Sequence, residues 1–106
     1  MEINRMCEFK VKILENGEEK QITENILFSK VEDGKVIFRN ILGMTTTVEN
    51  ALIDEISVPS EKILLIRSEI IPYFYDLVHL QSTNATKEEI KEAWNKLRDV
   101  GDKIFT

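Results

Sequence analysis

Phe9, Val11 and Ile13 alternate with Glu8, Lys10 and Lys12, a period of two that predicts a strand with one buried face. Asn16-Gly17 follows directly. Both residue types tolerate the positive φ of a type I′ turn, so the chain is expected to fold back as a hairpin. Gln21–Thr23 reads as a short return strand and Ile26–Val31 as a third strand. Asp33-Gly34 is a second tight turn, from which Val36–Arg39 pairs back. Gly43, between Ile41-Leu42 and Met44, marks a bend, a bulge or a close backbone approach. Thr45–Val48 is β-branched and strand-like. Ile53–Val58 and Ile63–Ile66 read as the last two strands, joined through Pro59-Ser60. Short strands at this spacing predict a sandwich or a small barrel of about five to six strands.

After Arg67 the pattern changes. Pro72–Leu80 reads as a helix with its proline near the first turn, where the missing N–H costs nothing. Gln81–Ala85 is a polar link. Thr86 and Glu89 have the spacing of a capping box, each satisfying the other's backbone N–H. Ile90, Ala93, Trp94 and Leu97 fall at i, i+3, i+4 and i+7, one apolar stripe. Gly101 is expected to end this second helix. The chain therefore divides into a mainly-β domain over residues 6–67 and a helical hairpin over 68–106, packed on the barrel or on a partner. About 60 residues make a small isolated core, so oligomerisation or an added element would help it.

Composition narrows the class. The 106 residues carry 14 Lys and Arg against 19 Asp and Glu, a net charge of −5. That balance weighs against general RNA or DNA binding, which rests on cationic contacts to phosphates. No apolar run approaches the roughly 20 residues of a membrane span. The opening MEINRMCEFK lacks the apolar stretch of a signal peptide. One cysteine excludes a disulfide within the chain, and a reducing, cytoplasmic location is the expectation.

That cysteine, Cys7, is the foremost candidate for chemistry. Its thiolate is a soft donor suited to nickel, copper(I), zinc or iron–sulfur chemistry, yet it supplies one ligand. Two chains meeting at a two-fold axis would supply two, and deprotonated amides beside each Cys7 would complete an N₂S₂ set suited to square-planar nickel(II). The competing reading is a packed strand cysteine, since a free Cys behaves as a small hydrophobe. His79 is the only histidine and reads as a packed or surface side chain. No Cys-x-x-Cys or His-Glu-x-x-His pattern exists, which argues against a closed zinc site within one chain. Glu18-Glu19, Glu32-Asp33, Asp54-Glu55 and Glu88-Glu89 flank turns or caps and read as solvated faces. Ser57, Ser60 and His79 are not arranged with an acid by any motif, and no phosphate loop or nucleophile elbow occurs. The expectation is a non-enzyme.

Met6-Cys7-Glu8 leading into the alternating strand, together with Asn16-Gly17, Asp33-Gly34, Ile41-Leu42-Gly43 and Glu61–Leu65, resembles the CooT-type proteins over roughly residues 6–67. These are very small proteins that usually begin Met-Cys. The resemblance implies an Sm/SH3-like barrel and a homodimer that binds nickel(II) through the matching cysteine, here Cys7, for delivery to a nickel-enzyme client. The wider family also carries the label of predicted RNA-binding protein. Two departures stand out: five residues precede Met6, which leaves Met1 and Met6 as rival starts, and residues 68–106 extend beyond the short family pattern.

The leading expectation is thus an accessory protein that carries a divalent metal at Cys7. The alternative is an RNA-binding or protein-interaction module without metal, in which Lys10, Lys12, Lys30, Lys35 and Arg39 gather on one face, or the Trp94 helix meets a partner.

Overall fold

Tight turns at positive φ set the order of the strands. The computed structural model describes residues 8–106. Within them run β1 (Phe9–Glu15), β2 (Glu18–Glu32), β3 (Lys35–Asn40), β4 (Thr45–Glu49), β5 (Ala51–Ser57) and β6 (Lys62–Arg67), then α1 (Ile71–Ser82) and α2 (Lys87–Phe105). Asn16 and Gly17 have φ of 52° and 80°, and Asp33 and Gly34 have 50° and 76°, as type I′ turns require.

The six strands form one sheet in the order β4-β3-β2-β1-β6-β5. Only β1 and β6 pair in parallel. The edges β4 and β5 are neighbours in sequence, separated by Asn50 alone. Laid flat, six strands at about 4.8 Å spacing would put those edges roughly 24 Å apart. A one-residue link therefore forces the sheet to roll into a half-barrel, with its corner at Asn50 (φ 56°). The seam is held by the Ala51 N–H donating to the Gly34 carbonyl at 3.2 Å and the Ser68 N–H donating to the Asn50 carbonyl at 2.9 Å. The mainly-β class with a helical hairpin is as the pattern predicts.

One strand prediction is corrected. Gln21–Thr23 and Ile26–Val31 are not two strands but parts of one, the 15-residue β2. Its first half pairs with β1 and its second with β3, and Ile26 faces both Phe9 and Asn40. Asn25, at φ 57°, is the extra residue that bends the strand. A bulge at a bend needs only one residue in the left-handed region, so no loop separates the halves.

The core lies inside this roll. Val11, Val36, Phe38, Ala51 and Leu65 have no exposed surface, and Ile13, Ile26, Val48 and Ile63 are nearly as deep. Each large side chain so buried contributes about 1.5–3 kcal/mol of transfer free energy. Among the described residues no polar or charged side chain is buried.

The helices stand on one end of the roll. Pro72 sits in the first turn of α1. A Cβ on Gly34 would lie 2.5 Å from the Pro72 Cα, so glycine is required there by contact as well as by φ. Thr86 and Glu89 form the predicted capping box at the start of α2. Gly101 does not end that helix, which continues to Phe105. Its bare face lies against Ile70, whose Cδ1 would be 3.6 Å from a Cβ placed there. That is ordinary contact distance, so a side chain would fit there, and the mid-helix glycine costs about 1 kcal/mol against alanine. The Cα radius of gyration is 16.5 Å, with extents of 54 × 34 × 23 Å. A compact chain of this length would have about 13 Å, so the hairpin projects from the barrel.

Candidate functional site

Cys7, the predicted metal ligand, lies outside the described residues, and the structural account begins at the next residue. The Glu8 N–H donates to Glu61 Oε2 at 2.9 Å. The Lys10 N–H donates to the Glu61 main-chain carbonyl at 2.8 Å. One residue thus grips the head of β1 twice. Glu61 can do so because it closes the turn between β5 and β6: its N–H donates to the Val58 carbonyl at 3.0 Å and its φ is 49°. A carboxylate accepting from a backbone N–H makes a charge-assisted bond, about twice as strong as a neutral one. The strand that follows Cys7 therefore starts from a fixed point.

The register defines what surrounds that point. Phe9 pairs with Ile26 and Ile26 with Asn40, while Lys10 pairs with Lys62 and Lys62 with Ser57. The chain beyond these pairs supplies Leu27, Ile41, Leu42, Met44 and Val58, and just before Ser57 stands Ile56. All six are large, apolar and exposed, Leu42 at 78%. The loop carrying three of them is tied down by hydrogen bonds. Asn40 Oδ1 accepts from the N–H groups of both Leu42 and Met44 at 2.9 Å, and the Ile41 N–H donates to the Asn25 carbonyl at 3.2 Å. The head of β1 is thus ringed by exposed apolar side chains.

Among the described residues no group of three or more His, Cys, Asp or Glu side chains could hold a metal ion. His79 is exposed on α1 and stacks on Tyr75, with ring centroids 5.7 Å apart. It belongs to the hairpin, which is rooted at the other end of β1: Glu15 shares a shallow crevice with Arg67, Ser68 and Glu69. Ser57 Oγ accepts from the Ser60 N–H at 3.2 Å, a turn contact within the β5–β6 connection.

Two of the cations considered for RNA sit beside carboxylates. Lys30 pairs with Glu32 at 3.1 Å and Lys12 reaches Glu19 at 4.0 Å. Arg39 lies over the Phe28 ring at 5.0 Å. Lys62, between Glu19 and Glu55 at 3.3 and 3.4 Å, holds its proton more tightly than an ordinary lysine, first because it donates to Glu19.

Sequence reasoning did not single out Glu61 as a contact of β1. Fifty-three positions separate it from Glu8, and the only local signal is its place after Pro59-Ser60.

Comparison with known proteins agrees with this barrel. The family described as CO dehydrogenase accessory protein CooT matches residues 6–66. A crystal structure assigned as CooT from Carboxydothermus hydrogenoformans superposes with a TM-score of 0.54 at 24% identity, over 59% of this chain and 100% of that one. At that identity the likeness shows the fold. No curated protein matches the chain. Both helices lie outside the residues matched by the family.

Proposed function

The chain belongs to the CooT family, and from that premise we propose that it is an accessory protein that carries nickel(II) on Cys7 at a homodimer contact and delivers it to a carbon monoxide dehydrogenase. The observation that carries the reading is the double grip of Glu61 on the head of β1. It anchors the residue after Cys7 at a barrel end ringed by apolar side chains. Such an end suits a contact between two copies, and two thiolates at that contact supply two soft donors to one ion.

The nitrogen donors follow from the same bond. The amide N–H between Cys7 and Glu8 is engaged as a donor to Glu61 Oε2. Cys7's own amide nitrogen closes a five-membered ring with its thiolate, and is the better donor of the two. Binding must release thiol and amide protons, so affinity rises with pH. A carrier needs an ion held by few protein groups and released on contact with the client. One cysteine per chain meets that need.

The test is a nickel(II) titration of the reduced full chain, followed by thiolate-to-metal charge-transfer absorbance, beside Cys7→Ala. The expected result is saturation at one ion per two chains, absent from the variant with its fold unchanged. Equal nickel affinity in Cys7→Ala would overturn the reading.

A further inference from the structure

The charges of α2 are sorted around its axis. At about 3.6 residues per turn, Lys87, Lys91, Trp94, Arg98 and Phe105 fall within about 60° of one another, and all five are exposed. This strip holds three of the five cations of residues 71–106 and none of their six acids. Glu88, Glu92 and Asp99 lie about 90° or more from its centre, and Asp102 stands at its edge. Glu89 is held by Thr86. Among the described residues Lys87 and Lys91 make no ion pair. Arg98 reaches Asp99 at 3.8 Å, an exposed pair of little strength.

The crevices beside the hairpin show what the strip adjoins. Asp76 and Lys96 line one crevice with Asp33 of the barrel, and Lys103 lines another with Asn50. A step of two residues turns a helix by about 200°. Phe74 and Val78 each stand two residues from Asp76, Trp94 two from Lys96, and Phe105 two from Lys103. All four therefore fall on the flank away from those crevices. Their exposures are 46%, 42%, 50% and 67%. At about 200 Å² per large side chain, they expose roughly 400 Å² of apolar surface. The outer flank is thus an apolar floor with a cationic rim along α2, on a chain whose net charge is −5.

We propose that this flank is a docking groove for an acidic amphipathic helix of a partner protein, which lies along α1 and α2 as a third helix. Charge selects the occupant: carboxylates beside the partner's apolar stripe meet Lys87, Lys91 and Arg98 while the stripe covers Trp94 and Val78. Size agrees. Residues 87–105 rise about 27 Å, the length of a partner helix of about five turns. An interface somewhat more than half apolar then takes about 700 Å² from this side, near the roughly 800 Å² of a standard contact. A single helix, about 10 Å across, meets the strip alone. A flat anionic lipid surface would also bring Asp102 and the neighbouring acids of α2 within the screening length of about 8 Å. The groove lies at the opposite end of β1 from the Glu61 grip, and does not rest on the nickel reading.

The test titrates the reduced full chain, in chelator, with a tryptophan-free peptide of about 18 residues whose leucines recur at helical spacing among glutamates. A twin peptide carries lysine for each glutamate. Trp94 is the only tryptophan, so its emission reports the flank directly. The expected result is a saturable blue shift with the glutamate peptide, and binding of the lysine twin weaker by about tenfold or more. Val78→Glu is expected to weaken the glutamate peptide by a similar factor. The triple variant Lys87→Glu, Lys91→Glu, Arg98→Glu is expected to reverse the preference, which a misfolded chain would not do. Equal affinity for the two peptides, or a preference that the triple variant leaves unchanged, would overturn the proposal. So would refusal of the glutamate peptide, whether the blue shift then comes from phosphatidylglycerol vesicles, from a uridine oligonucleotide or from concentrating the chain alone.

Discussion

The barrel and the helical hairpin solve the same problem differently. The half-barrel rolls around its own core: the nine core residues come from every strand, and five of them are wholly buried. The hairpin exposes or half-exposes most of its apolar residues and is tied to the barrel at its root. An isolated helix of 12 to 19 residues is marginal in water, because its nucleus is costly. The hairpin must draw on caps and on its root, whereas the barrel is held first by its own core. The difference teaches where perturbation should spread. Damage to the barrel should unfold everything, and damage to the hairpin should leave the barrel standing.

The largest effect is expected from Phe38→Ala. Phe38 has no exposed surface, and such a truncation costs about 3–5 kcal/mol. Chemical denaturation followed by circular dichroism should show the whole transition moved. A loss confined to helical signal would contradict the contrast.

Gly34→Ala sharpens it. The substitution puts a side chain at φ 76° and into the Pro72 backbone. The left-handed penalty alone is about 1–2 kcal/mol, and the clash adds to it. The hairpin should loosen at its root while β-sheet signal persists, and small-angle scattering should report an altered radius of gyration. An unchanged radius and unchanged stability would show that the contact does not fasten the hairpin.

The smallest effect concerns pH. The Thr86 N–H donates to Glu89 Oε1 at 2.9 Å, and the Glu89 N–H donates to Thr86 Oγ1 at 3.2 Å. The first bond, reinforced by the hydroxyl, lowers the Glu89 pKa below the ordinary carboxylate value. A lowered folded value means stability that is present above the unfolded pKa and lost as pH falls through the folded one. Helical signal should therefore weaken slightly at acid pH. Glu89→Gln, which keeps the box without a charge, should flatten that part of the profile. Equal acid sensitivity in both proteins would remove Glu89 as the cause.

Much of the barrel was legible because its signals are local. Asn16-Gly17 and Asp33-Gly34 announce turns through their own backbone tolerance, and Thr86 with Glu89 announces a cap three residues long. Gly101 misled for the same reason. As a local signal it reads as a stop, but Ile70, thirty-one positions earlier, packs on its bare face. Trp94 sits on the predicted stripe beside Ala93, yet one is half exposed and the other buried. Helical period groups residues on a face without saying how far the neighbouring helix reaches.

The sequence by itself determined the turns, the cap, the mainly-β class and the family to which residues 6–66 belong, because each depends on residues close in the chain or on a pattern shared along it. Only the tertiary structure decided that β2 is one bent strand, that the sheet rolls shut at Asn50, and that Glu61 grips the head of β1. It alone showed that the hairpin keeps an apolar flank in solvent. Those features depend on which distant segments meet once the sheet curls. The free energy that selects them is summed over the whole core rather than stored at any one position.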